Sequence, residues 1–258
     1  NSYDVQFYGI DVNIDPDTET IQGTVEILIK SREDDLTEII LDAADHLIIN
    51  MINSENLISY RHINGRLALE YNLPIFDGEE KSIEINYHGG TGTGVPWEGG
   101  LVYPNNQVYS LNCPYGLSAW VPCKDHPSDK ANEMDIRITL PVAYDVASNG
   151  VLLEVVNNED GTRTHNWHEN YPIATYLFNI SASAPFFVST EYYHYSDSDS
   201  MPIIYYTTSQ WVPSGFHFVE DALPLFSDLF GLYPFVDEKY AINKVNSSGW
   251  AMEHQNNV

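Results

Sequence analysis

Ile21-Gln22-Gly23-Thr24-Val25-Glu26-Ile27-Leu28-Ile29-Lys30 places apolar side chains mostly at odd positions and polar ones mostly at even positions. A period of two puts alternate side chains on opposite faces of an extended chain, so this stretch reads as a half-buried strand. Tyr8-Gly9-Ile10-Asp11-Val12-Asn13-Ile14 alternates in the same way. Between them stands Asp15-Pro16-Asp17-Thr18, whose residues suit a turn, so the two stretches form a hairpin.

Outward from this hairpin the pattern repeats at short intervals. Strands are expected at Ile39–Leu41, Leu47–Asn53, Arg66–Tyr71, Lys81–Tyr87, Asp135–Leu140, Leu152–Val156, Arg163–Trp167, Thr175–Ser181 and Pro185–Ser189. Asn157-Asn158-Glu159-Asp160-Gly161 reads as a solvated hairpin loop, because its carboxylates lack the alternating spacing of a calcium loop. Gly89-Gly90-Thr91-Gly92-Thr93-Gly94 spaces its glycines as phosphate loops do. Val95-Pro96-Trp97 follows in place of an amphipathic helix, so the stretch is expected to be a flexible connecting loop.

The character changes near residue 191. Ser196-Asp197-Ser198-Asp199-Ser200 is a polar link, and Met201–Thr208 is another expected strand. Phe216, Val219, Leu223, Phe226 and Phe230 then recur at spacings of three and four, which predicts an amphipathic helix closed by Gly231 and kinked or shortened by Pro224. The expected division is residues 1–190 as a β-sandwich domain and residues 191–258 as the start of an α/β unit.

The chain has 258 residues, 43% of them hydrophobic, which is enough for a sizeable core. Eleven Lys and Arg stand against 37 Asp and Glu, a formal net charge of -26. Such a surface repels nucleic-acid phosphates and anionic membranes, so neither is expected as a partner. It keeps a protein soluble, and it favours cationic ligands such as free amines and metal ions. No run of about 18 apolar residues exists to span a membrane. Cys113 and Cys123, the only cysteines, could be bridged or free.

Four stretches carry a resemblance. Pro122-Cys123-Lys124-Asp125-His126-Pro127-Ser128-Asp129-Lys130-Ala131 resembles the "Pro-Cys-x-Asp-x-Pro-x-x-Lys-Ala" run of the aminopeptidase N family, zinc metallopeptidases that include leukotriene hydrolase. Val146-Ala147-Ser148-Asn149-Gly150 is similar to that family's next motif, and Tyr233-Pro234-Phe235 to a third. Trp250-Ala251-Met252-Glu253-His254 resembles the family's "Gly-Ala-Met-Glu-Asn" substrate-binding sequence, with Trp250 in place of the Gly and His254 in place of the Asn.

The resemblance implies a mainly β fold: a saddle-like N-terminal β-sandwich, then the truncated start of a thermolysin-like α/β catalytic domain. It implies that Glu253 binds the α-amine of a peptide with a free N-terminus, and that Ala251 and Met252 align the peptide backbone. Trp250 and His254 flank that site. The family's Gln or Glu before the Pro-Cys run is absent here, and Asn112 is expected to stand in for it. The parent would be a zinc aminopeptidase closest to bacterial forms, and the acidic surface, low Lys and Arg count and a Cys113–Cys123 bridge, if formed, favour an exported enzyme over a cytoplasmic one. His-Glu-x-x-His, the helical zinc signature with its general base, does not occur in these residues; His165-Asn166-Trp167-His168 has the wrong spacing for it and is expected as an exposed edge or loop pair. No zinc and no activity are therefore expected of the 258 residues alone. The alternative reading is a natural, non-catalytic β-sandwich module that binds peptides or proteins.

Overall fold

The protein is described as a computed structural model covering residues 2–95, 98–246 and 251–258. Its centre is the hairpin expected from the alternation. The strands Tyr3–Asp15 and Thr20–Ser31 pair antiparallel with Ile10 opposite Val25. Ile10, Val12, Ile14, Val25, Ile27 and Ile29 are all buried, which leaves the intervening polar residues more exposed. Each such side chain contributes about 1.5–3 kcal/mol of burial.

On the other side, Tyr3–Asp15 pairs in parallel with Glu133–Pro141, bringing Ile136 beside Ile10. The complete seven-stranded sheet runs Val151–Asn157, Thr162–Glu169, Glu133–Pro141, Tyr3–Asp15, Thr20–Ser31, Glu80–Gly90, Leu47–Asn53. A five-stranded sheet runs Asp145–Ser148, Ile180–Ser183, Gln107–Leu111, Gly99–Val102, Gly92–Val95. A further sheet of Leu36–Asp42, Arg66–Ile75 and Leu57–Ile63 adds to the same core, into which Ile39, Leu41, Leu67 and Leu69 are buried. The mainly β expectation therefore holds.

A smaller second core is built from Tyr193, Met201, Ile203, Tyr205, Val219 and Leu223. Its three-stranded sheet is Phe187–His194, Ser200–Thr207 and Tyr240–Asn243, the last pair parallel. The division expected at residue 190 falls inside the first of these strands. The helix Phe218–Phe230 forms as the spacing predicts and runs through Pro224. Val219 and Leu223 face the core, while Phe218, Phe226, Leu229 and Phe230 are exposed.

Three local expectations are corrected. The glycine-rich stretch is not a free loop: Glu80–Gly90 extends into it, and Gly92–Val95 pairs with Gly99–Val102. A Cβ on Gly92 would sit 2.8 Å from the Gly99 carbonyl oxygen, so the glycines permit close strand approach. Thr175–Ser181 is not one strand, because Thr175–Leu177 forms a 3-10 turn before the strand Ile180–Ser183. His165 and His168 lie on an interior strand, flanked on both sides, rather than on an exposed edge or loop. Cys113 and Cys123 are both free.

Candidate functional site

The Pro-Cys run is a structural knot. Cys123 and Asp42 exchange backbone hydrogen bonds of 3.0 and 2.7 Å, and Asp42 Oδ2 accepts from the Asp125 amide at 3.0 Å. Asp125, itself buried, accepts from the Ser118 amide and the Thr175 hydroxyl, each at 3.0 Å. Burial pushes its carboxyl upward, and these hydrogen bonds oppose that shift. Lys124 donates to Asp129 at 3.1 Å and to the Tyr3 carbonyl at 2.6 Å, with its ammonium 4.4 Å from the Tyr3 ring centroid. The motif thus ties the first strand to the segment in front of the candidate site.

That segment is braced from below by Trp120, fully buried, whose indole N–H donates to Asn112 Oδ1 at 2.9 Å. Asn112 Nδ2 donates in turn to the Phe178 carbonyl at 2.6 Å. Asn112 has no solvent exposure. Its amide braces the floor of the site and does not project from it.

The tail is fastened by the second motif. Asn149 Nδ2 donates to the His254 carbonyl at 2.8 Å and to the Leu177 carbonyl at 3.0 Å, while its Oδ1 accepts from the Asn179 amide at 2.7 Å. Asn257 Nδ2 donates to the Ser148 carbonyl at 3.0 Å. Residues 254 to 257 close a tight turn, with Gln255 at a φ of 64° and His254 and Asn257 joined by backbone bonds of 2.8 and 3.2 Å. Asn256 and Val258 run alongside the strand Tyr240–Asn243, the Asn256 carbonyl accepting from the Ala241 amide at 2.9 Å and the Val258 amide donating to the Ala241 carbonyl at 2.8 Å.

Within this frame the expected residues separate. Met252, Ala251 and His254 line a largely apolar cleft of about 560 Å³, together with Tyr109, Leu111 and Phe216. His254 is buried, its pKa lowered to about 4 by desolvation, and its Nδ1 has no partner among the described residues. Glu253 is exposed and is not part of that cleft's described lining. It lies on the side of Cys113, whose thiol is raised by burial and then by the Glu253 charge. Trp250 lies outside the described residues. Among the described residues no three His, Cys, Asp or Glu side chains converge to hold a metal, so these residues do not supply a zinc site.

Sequence reading missed the groups beneath the tail. Glu169 and Glu238 are both buried and both accept from Asn256 Nδ2, at 2.8 and 2.5 Å. Lys239 is buried as well. It donates to the Ser148 and Gly150 carbonyls and lies 4.7 Å from the Trp167 ring centroid. The one available signal was Gln255-Asn256-Asn257, three amides in a row beside the Met-Glu-His motif.

Residues 113–177 match the Peptidase M1 N-terminal domain. That match bears out the family resemblance over the Pro-Cys run and the Val146–Gly150 motif, the segment that holds the Pro-Cys knot and Asn149. Leucine aminopeptidase 2 of Vanderwaltozyma polyspora is 34% identical over 91 residues, covering 32% of this chain and 13% of that protein. An M1 zinc metallopeptidase from Deinococcus radiodurans has a similar fold over 100% of this chain and 59% of its own, with a TM-score of 0.85 at 23% identity. A mutant of that enzyme bound to a Tyr-Ser-Ala substrate gives a TM-score of 0.85 over 99% of this chain and 60% of its own, again at 23% identity. At that identity the likeness speaks for the fold. The chain spans about three fifths of those M1 metallopeptidases and a small part of the yeast relative.

Proposed function

We propose that this chain is the N-terminal portion of a zinc-dependent aminopeptidase and that Glu253 binds the α-ammonium of its peptide substrate. The observation that carries the reading is the Asn149 bond to the His254 carbonyl. Two motifs about a hundred residues apart thereby meet, and the turn they fix leaves Glu253 exposed beside Cys113. A fixed carboxylate that pairs with an ammonium measures off one residue from the N-terminus, which is the selection an aminopeptidase needs. Backbone groups of Ala251 and Met252 would run alongside the substrate chain. Zinc, when bound in the parent, polarises a carbonyl and activates water. The described residues do not fit it, so its ligands are assigned to other parts of the parent.

Two measurements test this. The intact mass of the protein from its natural source is expected well above 29.2 kDa; a mass equal to it would overturn the reading. In that longer protein, Glu253→Ala is expected to lower kcat/KM on aminoacyl substrates about a hundredfold, equivalent to ~2.7 kcal/mol for a truncated charge pair. N-acetylated substrates should be poor for both proteins. An unchanged kcat/KM in Glu253→Ala would remove Glu253 from the amine site. Residues 1–258 alone are expected not to hydrolyse an aminoacyl-nitroanilide.

A further inference from the structure

The turn that presents Glu253 is held from beneath by an unusual pair of acids. Glu169, with no exposed surface, ends the strand Thr162–Glu169, and Glu238, 4% exposed, precedes Tyr240–Asn243. Glu169 Oε1 accepts from the Tyr171 amide at 3.1 Å and from Gln255 Nε2 at 3.0 Å. Glu238 Oε1 accepts from the Asn170 amide at 2.7 Å. Their remaining oxygens, Glu169 Oε2 and Glu238 Oε2, share Asn256 Nδ2 at 2.8 and 2.5 Å, so the two buried carboxyl groups meet at one amide nitrogen. Two buried carboxyl groups brought this close do not both ionise, so one of them carries a proton.

The neighbouring cation does not neutralise the pair by contact. Lys239 Nζ is bonded to the Ser148 and Gly150 carbonyls. The other ionisable groups facing the pair are Tyr171 and Tyr233, both raised and so neutral. Asp237 lies further out, accepting from the Tyr171 hydroxyl at 3.1 Å.

We propose that Glu169 and Glu238 share one proton and with it form a clamp on Gln255 and Asn256, making Glu169 a positioning residue for Glu253. The importance of that position rests on the reading of Glu253 as amine anchor, but the clamp itself does not. Burial, and then the Glu238 charge, raise the Glu169 carboxyl to about 8. When the tail lifts and water reaches Glu169, the proton leaves in the ordinary carboxylate range, near 4.5. The clamped form binds more protons than the open one between those limits. Clamping is therefore strongest at low pH, weakens by about tenfold per pH unit as pH rises towards 8, and is level above it. Lys239, lowered to about 7 by burial, acts in the opposite sense above pH 7 if it too is uncovered. The clean window is pH 5 to 7.

The test is native-state hydrogen exchange of the His254 and Val258 amides in this chain, both hydrogen-bonded within the clamped tail. Exchange is corrected for its intrinsic pH dependence. Protection in the natural protein is expected to fall about tenfold per pH unit from 5 to 7. In Glu169→Gln the amide donates to Glu238 at every pH, so the slope should vanish while protection at pH 7 is kept or increased. A natural protein with no slope, or a variant with the same slope, overturns the clamp. Should Glu169→Gln not fold, Glu238→Gln makes the same prediction. In the unmodified protein, infrared spectroscopy should show a protonated carboxyl band at pH 6 that is lost above pH 8. Its absence at pH 6 would also overturn the proposal. None of these readouts involves substrate, so a failed clamp and a failed amine site are told apart.

Discussion

Gly150→Ala is expected to abolish most of the folding stability of this chain. Gly150 has a φ of +69°, where a Cβ costs about 1–2 kcal/mol. The larger effect is space. An added Cβ would lie 1.9 Å from the His168 carbonyl oxygen and 2.6 Å from the Glu169 Cα. Both are backbone atoms of the strand Thr162–Glu169, which is paired on both sides and cannot yield as a side-chain tip can. The Gly150 amide also donates to Asn256 Oδ1 at 3.2 Å, and its carbonyl receives Lys239. Overpacking and backbone strain together should cost ~4 kcal/mol or more, a large share of a domain's usual stability. Gly161→Ala is the control. Its φ is +86°, yet nothing lies within 4 Å of an added Cβ, so only the strain of about 1–2 kcal/mol applies. Urea denaturation of the two variants with similar midpoints would show that the close approach is not a constraint.

Trp120→Ala is expected to cost about 3–5 kcal/mol from lost burial and the cavity left behind. The indole is fully buried, and its N–H is the partner of Asn112 Oδ1. The truncation therefore also leaves a buried amide oxygen unpaired, a further ~1–3 kcal/mol. Trp120→Phe separates the two effects, since it keeps most of the apolar volume and loses the hydrogen bond. Its destabilisation should be less than half that of the alanine variant. If Trp120→Phe unfolds at the same urea concentration as Trp120→Ala, the bond to Asn112 carries the effect and packing does not.

What could be read in the sequence follows from locality. The hairpin at residues 3–31 was legible because one face is buried and the other wet, so a period of two survives in the composition. The strand Leu57–Ile63 escaped notice because Ile58, Tyr60 and Ile63 are all exposed and its two faces do not differ in polarity. Gly92–Val95 was hidden because glycine, which signals a loop, here serves close strand packing. At the candidate site, Met252, Glu253 and His254 were visible as a motif. Asn112 was placed in the right neighbourhood, but nothing in one dimension distinguishes an amide facing a ligand from one bracing a tryptophan. Glu169 and Glu238 were invisible for a related reason. A carboxylate reads as surface until its partners are known, and Glu169 meets Asn256 87 residues along the chain, while Glu238 meets the Asn170 amide 68 residues back.

The parallel pairing of the first strand has a consequence for synthesis. Ile10 meets Val25 after a short loop, but its other neighbour, Ile136, comes more than 120 residues later. While the chain emerges from the ribosome, the strand Tyr3–Asp15 must wait with one backbone edge unpaired. Such long-range closure is slow, and an open apolar edge invites pairing with another chain. Translation speed between residues 31 and 133, and chaperones able to shield an edge, should therefore govern soluble yield more than the stability of the finished fold.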